Sequence, residues 1–107
     1  MDYLRIWYNM DERLYLIDLY DIYGDLLDDK KRVYFEYYYF DNLSLGEISE
    51  NLNISRNAIH KSLKIVEDKL KFYENKLELY KKRKELNDII NKVNDKDLKQ
   101  KLEDISW

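Results

Sequence analysis

Two helix-start signals separated by a very short turn constrain this chain more than any other feature of its sequence. Ser44 and Glu47 have the spacing of a capping box, in which each side chain satisfies a backbone N–H of the other, so a helix should begin at Ser44. Asn53 tolerates positive φ, and Ser55 can cap a new helix two positions later. Two helices joined by so short a turn must cross steeply, which is the geometry of a helix-turn-helix.

The residues around this turn have the sizes that a steep crossing requires. Ser49 is small enough to let the second helix approach. Ile59 and Leu63 of the second helix should fill the space between the two crossing helices. The sequence therefore predicts a helix-turn-helix at about residues 44–64. Polar residues on the outer face of the second helix could hydrogen-bond base edges or phosphates. These candidate nucleic-acid-binding residues are Arg56, Asn57, His60, Lys61 and Lys64.

Caps and spacing also predict the helices before this motif. A first helix over about residues 12–24 should close on a left-handed Gly24, and Asp28 should cap a second helix that ends near Asp41–Asn42. The aromatic run from Tyr34 to Phe40 could also be a strand, because aromatic residues favour pleated surfaces. No alternating partner strand exists in the chain, so we favour a helix.

A long amphipathic helix should follow the turn. Apolar residues recur at alternating spacings of four and three and predict one helix over about residues 56–82. The phase slips across Lys81–Lys84, where a bend or break is expected, and a C-terminal helical segment should occupy about residues 85–106. We therefore predict one all-α domain over residues 1–107, with a long fourth helix and C-terminal helices beside the helix-turn-helix core.

The apolar seam of the long helix is longer than a three-helix core can cover. A second copy of the chain or a returning helix should bury it, and we expect a homodimer. The aromatic run is also too dense for one buried stripe, and tyrosine is common at protein interfaces. The candidate interface residues are Leu70, Tyr73, Leu77, Tyr80, Tyr34 and Tyr37.

Charge is distributed unevenly within a total of −3. Residues 1–29 hold eight acids and two bases, which gives −6, whereas residues 56–84 hold ten bases and four acids, which gives +6. Three further candidate nucleic-acid contacts, Lys30, Lys31 and Arg32, begin the second helix, where they could meet phosphates or pair with nearby aspartates. We favour local pairing. The acidic start argues against a dedicated DNA-binding protein, and the motif argues for one.

Several function classes are excluded by residues that the chain lacks. It has no cysteine, and His60 is its only histidine, so neither a zinc cluster nor a Ser-His-Asp triad can form. Gly24 and Gly46 lie too far apart for a phosphate-binding loop. We predict no enzyme, cofactor, metal or small-molecule substrate. No apolar run approaches the ~20 residues of a membrane span, and no secretory signal pattern is present, so we expect a cytoplasmic protein without membrane insertion.

Several segments in order resemble a known family. They are Leu19–Leu27, Lys31–Arg32, Phe35–Phe40, Asp41–Ile48 and Ser55–Ile59. Together they are similar to the YlxM family of small helix-turn-helix proteins, and the motif itself resembles region 4 of bacterial sigma factors. The resemblance covers about residues 12–80. Two residues depart from the pattern: Asn53 replaces a glycine common in such turns, and Ser62 replaces an apolar residue of sigma-type motifs.

The resemblance implies two functions, and both remain open. Family membership implies an all-helical, regulatory, DNA-binding protein, and it also implies a link to the signal recognition particle pathway through neighbouring genes. The first function is a regulator that reads DNA with the outer face of the second motif helix. The second is a protein-interaction module of that pathway, in which the helix-turn-helix is a scaffold.

Overall fold

The computed structural model describes the backbone of residues 3–107 and the side chains of residues 11–107. This part of the chain forms six α-helices and no strand. The helices are α1 (Tyr3–Tyr23), α2 (Asp29–Tyr39), α3 (Leu45–Leu52), α4 (Arg56–Leu77), α5 (Leu79–Ile90) and α6 (Lys96–Ile105), and a short 3-10 turn spans Gly24–Leu26. The all-α fold that the sequence predicts is confirmed.

The helix starts follow the caps that the sequence specifies. In the capping box, Glu47 N donates to Ser44 Oγ at 3.1 Å, and Ser44 N donates to a carboxylate oxygen of Glu47 at 3.1 Å. Asn53 adopts the left-handed conformation with φ 55°. The other side chains that cap a helix by accepting from the N–H three residues on are Asp28, Ser55 and Asp95. Local hydrogen bonding therefore accounts for where four of the helices begin.

The first helix ends at Tyr23, close to the predicted end, but its predicted start and the predicted left-handed Gly24 are wrong. α1 already includes Tyr3, well before the predicted start, and neither glycine of the described chain has a positive φ. Gly24 instead begins a 3-10 turn in which Leu27 N donates to Gly24 O at 3.0 Å. A Cβ at Gly24 would lie 3.2 Å from the ring of Tyr20, so this glycine permits a close approach rather than a left-handed backbone.

The long helix ends five residues before the predicted end, at Leu77. Glu78 has φ 55°, and this single left-handed residue separates α4 from α5. The bend expected at Lys81–Lys84 is therefore wrong, because these residues lie inside α5. The predicted segment at residues 85–106 contains the end of α5 and all of α6.

α4 is the central helix, and α1, α2 and α3 all pack against it. At the crossing of α3 and α4, Ile48 and Ile59 are fully buried, and the Ser49 hydroxyl donates to the carbonyl of Ile54 across the turn. The helix-turn-helix packing that the sequence predicts is therefore present. α5 packs against α1, and α6 packs against α5.

The seam of α4 is covered within the chain for most of its length. Leu70 is fully buried and Tyr34 is 4% exposed, so the prediction that these two residues form an interface with a partner is wrong. The partly buried Tyr37, Tyr73 and Tyr80 pack against the same core. The reason is that α1 and α2 pack against α4, and α1 contributes rings such as Tyr23, whose centroid is 5.8 Å from that of Tyr73. Of the predicted interface residues, only Leu77 is exposed.

Candidate nucleic-acid interface

α4 carries its polar residues on the side opposite the core. Ser55 Oγ accepts from Ala58 N at 3.1 Å, which fixes the first turn, and the fully buried Ile59 fixes the rotation of the helix. The polar residues between the buried positions consequently face solvent. All five residues that the sequence proposes on this face are exposed: Arg56, Asn57, His60, Lys61 and Lys64.

Arg56 lies against the start of α3. A Cβ at Gly46 would be 2.7 Å from Nη2 of Arg56, so the absence of a side chain at Gly46 is what lets the guanidinium lie there. The contact joins the first turn of α4 to the first turn of α3. It positions a cation at the edge of the exposed face, where Arg56 stays accessible to solvent.

His60 and Lys64 border a groove between α4 and the end of α2. Lys64 Nζ lies 3.3 Å from Asp68, and both side chains are mostly exposed, so this pair contributes little to stability. Tyr39 donates to Glu67 at 2.8 Å on the inner side of the groove. Burial raises the pKa of the Tyr39 hydroxyl, and its bond to Glu67 raises the pKa further. The Tyr39 hydroxyl therefore stays neutral. Because the pair between Lys64 and Asp68 is exposed, Lys64 can exchange Asp68 for an external anion.

The start of α2 lies beside the other flank of α4. Lys30 and Lys31 line a groove together with Ala58 and Ser62 of α4. Lys31 Nζ lies 2.7 Å from Asp28, and this hydrogen bond lowers the pKa of the Asp28 carboxyl. The local pairing that the sequence predicts is present for Lys31. Lys30 is exposed on the same surface.

Arg32 points away from this surface and into an acidic groove. Its Nη1 lies 3.1 Å from Asp25, and its Nε donates to the Tyr20 hydroxyl at 3.2 Å. Asp18 and Glu36 line the same groove. The structure therefore does not bring Arg32 together with the cations of α4, and the local pairing that the sequence favours is present between Arg32 and Asp25.

Arg13 supports the site, and sequence reasoning missed it. Its Nη2 donates to the carbonyl of Tyr38 at 2.6 Å and to Oδ1 of Asn42 at 2.9 Å, and its guanidinium lies 4.7 Å from the ring centroid of Tyr39. A cation at a helix C-terminus satisfies carbonyls that have no partner in the helix. Arg13 thus fixes the end of α2 that borders the His60 groove. The signal in the sequence was that Arg13 is one of only two basic residues in the acidic segment of residues 1–29.

Glu74 is the second residue that sequence reasoning missed, and it joins α4 to α5. Oε1 accepts from the Tyr23 hydroxyl at 2.6 Å and from Tyr80 N at 2.9 Å, and Oε2 accepts from Lys81 N at 3.2 Å. The buried carboxylate therefore caps the start of α5. Burial and the bond to Glu74 raise the pKa of Tyr23 to about 12. The signal in the sequence was a charged residue within an otherwise apolar seam.

The described residues form neither a metal cluster nor a membrane span. No group of three or more His, Cys, Asp or Glu side chains in the described part of the chain is arranged to hold a metal ion. Among the helices described, none combines the length and the apolar character that crossing a membrane requires.

Comparison with known proteins identifies the family. Residues 10–106 match the family model described as "Putative helix-turn-helix protein, YlxM / p13 like". A UPF0122 protein of Ureaplasma parvum is 46% identical over 97 residues, which cover 91% of this chain and 98% of the relative. The corresponding protein of Ureaplasma urealyticum is 45% identical over the same length and shares of both chains. A UPF0122 protein of Caldanaerobacter subterraneus is 53% identical over 58 residues, covering 54% of this chain and 50% of that protein. The chain belongs to this family of YlxM/p13-like helix-turn-helix proteins.

Proposed function

We propose that this chain is a regulatory protein that binds duplex DNA with the exposed face of α4. One observation carries the proposal: Arg56, Asn57, His60, Lys61 and Lys64 are all exposed on the first three turns of a helix that crosses α3 at a helix-turn-helix. In such motifs the second helix enters the major groove with its N-terminal residues against base edges. The N-terminal position of these side chains is the position that this docking uses.

Four of these five side chains have a role that their chemistry suggests. Arg56 and Asn57 occupy the first turn of α4, where arginine can read guanine and asparagine can read adenine. Lys61 and Lys64 lie one and two turns further along and meet phosphates. Lys30, at the start of α2, extends the phosphate contacts to a neighbouring element. Lys31 contributes less because it is paired with Asp28.

Electrostatics limit the affinity for random DNA. The chain has a net charge of −3, so long-range repulsion offsets part of the local attraction by α4. If Lys30, Lys61 and Lys64 meet phosphates, log affinity should fall with log salt at a slope of about −2.7, from ~0.9 per contact. We therefore expect weak binding to random duplexes and a stronger, sequence-dependent component from the first turn of α4.

A binding assay with a charge-matched control tests this proposal. The double variant Arg56→Ala and Lys61→Ala should abolish binding to a labelled duplex followed by fluorescence anisotropy. The control, Lys92→Ala and Lys96→Ala, removes the same charge from exposed positions outside α4 and should leave most of the affinity. Equal losses in both variants would mean that DNA responds only to net charge, and the proposal would fail.

The second candidate is a protein-interaction module of the signal recognition particle pathway, with the helix-turn-helix as a scaffold. The acidic groove around Arg32 favours it, because carboxylates there repel nucleic acid and suit a basic protein partner. Capture from native lysate, with and without nuclease, separates the two functions. Partners that survive nuclease support the module, and partners lost with the nucleic acid support the regulator. Either function would be exercised in the cytoplasm.

A further inference from the structure

Gly46 lies in the first turn of α3, where the backbone itself does not require a glycine. Neither glycine of the described chain has a positive φ, so Gly46 adopts a conformation that any residue can adopt. Glycine is also less favourable than alanine in a helix. The capping box of Ser44 and Glu47 already fixes this helix start. The feature that a side chain at position 46 would disturb therefore lies outside α3.

That feature is the guanidinium of Arg56, which fills the space where a side chain at position 46 would begin. A Cβ on Gly46 would lie 2.7 Å from Nη2, 3.1 Å from Cζ and 3.3 Å from Nε of Arg56. The shortest of these distances is a clash, so any larger residue would push the guanidinium away. Because Arg56 is exposed and its far end is flexible, the backbone would not have to move. Gly46 thus sets where the guanidinium lies without being required for the fold.

The hydrogen-bond donors of Arg56 are unused in this position. A guanidinium carries five N–H donors in a rigid planar fork. Within residues 11–107 the Arg56 side chain donates no hydrogen bond and forms no ion pair. By contrast, Arg13 donates to a backbone carbonyl, and Arg32 and Arg83 each pair with an aspartate. The fork of Arg56 is therefore held in place by packing while its donors remain available to an external acceptor.

The place of Arg56 in the motif indicates which acceptor the fork would meet. Arg56 is the first residue of α4, and in helix-turn-helix docking the N-terminal residues of the second helix face base edges. In the major groove the bidentate partner of an arginine fork is guanine, through O6 and N7. Ordering a long side chain on binding costs conformational entropy, and a guanidinium already held over a glycine loses less of it. Packing on Gly46 therefore prepares Arg56 for a contact that depends on its placement.

We propose that Gly46 is the positioning residue that makes Arg56 a selective reader of guanine. This inference rests on the DNA-binding function proposed above and assigns part of its selectivity to a residue of α3, outside the reading helix. Gly46 itself touches no base. Phosphate contacts by lysines supply the affinity that does not depend on sequence, and they do not depend on where the guanidinium lies. Selectivity and general affinity should therefore separate in a variant of Gly46.

The first experiment uses the full chain without nucleic acid. NMR relaxation at Nε–Hε of Arg56 should show an ordered group in the wild type and a mobile one in Gly46→Ala. This variant should unfold at or slightly above the wild-type temperature, because alanine favours a helix. Asn51→Ala, at an exposed position of α3, is the control and should leave Arg56 ordered. Equal mobility of Arg56 in the wild type and in Gly46→Ala would overturn the proposal, and so would a large loss of stability, which would make Gly46 a requirement of the fold.

The second experiment selects bound DNA from duplexes with a randomised central segment and measures affinities by fluorescence anisotropy. The wild type should enrich guanine at one position, and Gly46→Ala should lose about tenfold in selectivity for that base. Affinity for the unselected pool and its dependence on salt should stay close to wild type, because the lysines are unchanged. A uniform loss of affinity over all sequences, with a shallower salt dependence, would make Arg56 a phosphate contact and contradict the proposal.

A double-mutant cycle tests whether Gly46 acts through Arg56. In an Arg56→Ala background, Gly46→Ala should have no further effect on selectivity. Additive losses would mean that α3 contacts the bases independently of Arg56, and the positioning role would be refuted. A wild type that binds no duplex refutes the DNA-binding function itself. If the wild type and Gly46→Ala select the same guanine equally well, DNA binding stands and only the role of Gly46 fails.

Discussion

The helices up to α4 and the pair α5–α6 use the same amphipathic pattern with opposite results. Of the fourteen buried hydrophobic residues in the described chain, thirteen precede residue 71, and only Ile90 follows it. The first region stacks aromatic rings such as Phe35 and Tyr39, whose centroids are 4.3 Å apart. In α6 the apolar residues Leu98, Leu102 and Ile105 have the same spacing, but Leu98 and Ile105 stay exposed. Helical periodicity therefore predicts a helix and its apolar face, but it does not predict what covers that face.

The join between the two regions is polar. Glu74 and Tyr23, both buried, bond to one another and to backbone N–H groups at the start of α5. A left-handed Glu78 lies between the helices. Orientation of α5 relative to the core therefore depends on a few directional hydrogen bonds as well as on apolar contact. Three changes test whether the two regions differ in burial and whether hydrogen bonds hold the join between them.

The largest effect should come from a charge placed in the core. Ile59→Asp buries a carboxylate at a fully buried position, at a cost of several kcal/mol against a total stability of about 5–15 kcal/mol. The domain should unfold, as measured by thermal denaturation. Lys61→Ala, on the exposed side of the same helix, should not unfold it. A wild-type melting curve for Ile59→Asp would mean that the register of α4 is wrong.

The same substitution in the other region is the matched control. Ile89 lies in α5 and is 59% exposed, so Ile89→Asp should change the free energy of unfolding by no more than about 0.5 kcal/mol. The contrast between the two isoleucines measures the difference between the regions directly. Equal destabilisation would show that α5 is buried in solution.

The next effect should come from the join. Glu74→Ala removes the acceptor of three hydrogen bonds and leaves the Tyr23 hydroxyl and two backbone donors without their partner. Loss of a charged hydrogen-bond partner of this kind costs about 1.5–3 kcal/mol. Urea denaturation should show that loss, and hydrogen exchange should accelerate first at Tyr80 and Lys81.

Glu85→Ala is the control for this change, because Glu85 is an exposed glutamate of α5. It should leave both stability and hydrogen exchange close to wild type. If Glu74→Ala behaved like Glu85→Ala, apolar packing alone would hold α5 against the core, and the polar join would be incidental.

The sequence predicts the starts of α2, α3 and α4 well because their caps are local. Asp28, Ser44 and Ser55 each bond to an N–H only three residues away, so the residues involved are visible in the sequence. The left-handed position at Asn53 was predictable for the same reason, since asparagine tolerates that conformation. The exposed face of α4 was predictable too, because one buried position fixes the rotation of a regular helix.

The sequence did not predict features that depend on distant contacts. Gly24 packs on Tyr20 instead of adopting a left-handed conformation, and Glu78 adopts one although glutamate has no local preference for it. The local pairing of Arg32 was predicted, but the groove that the Arg32–Asp25 pair faces depends on how α2 lies against the turn after α1. Which flank of α4 each cation occupies is likewise a result of tertiary packing.

The smallest expected effect is a gain in stability at the join. Glu78 has φ 55°, a conformation that costs a residue with a side chain about 1–2 kcal/mol, whereas glycine adopts it freely. Glu78→Gly should therefore stabilise the protein by about 0.5–1 kcal/mol once the extra chain entropy of glycine is subtracted. The substitution also removes the ion pair between Glu78 and Lys81 at 4.0 Å, which is exposed and contributes little.

Glu85→Gly, within α5, should instead cost about 1 kcal/mol, because glycine is unfavourable inside a helix. Opposite signs at the two glutamates, measured by urea denaturation, would show that the break after α4 is held in place by the bonds of Glu74 against the preference of Glu78. If both substitutions destabilised the chain, residue 78 would be helical in solution, and α4 would continue past Leu77 towards residue 82, as the spacing alone predicts.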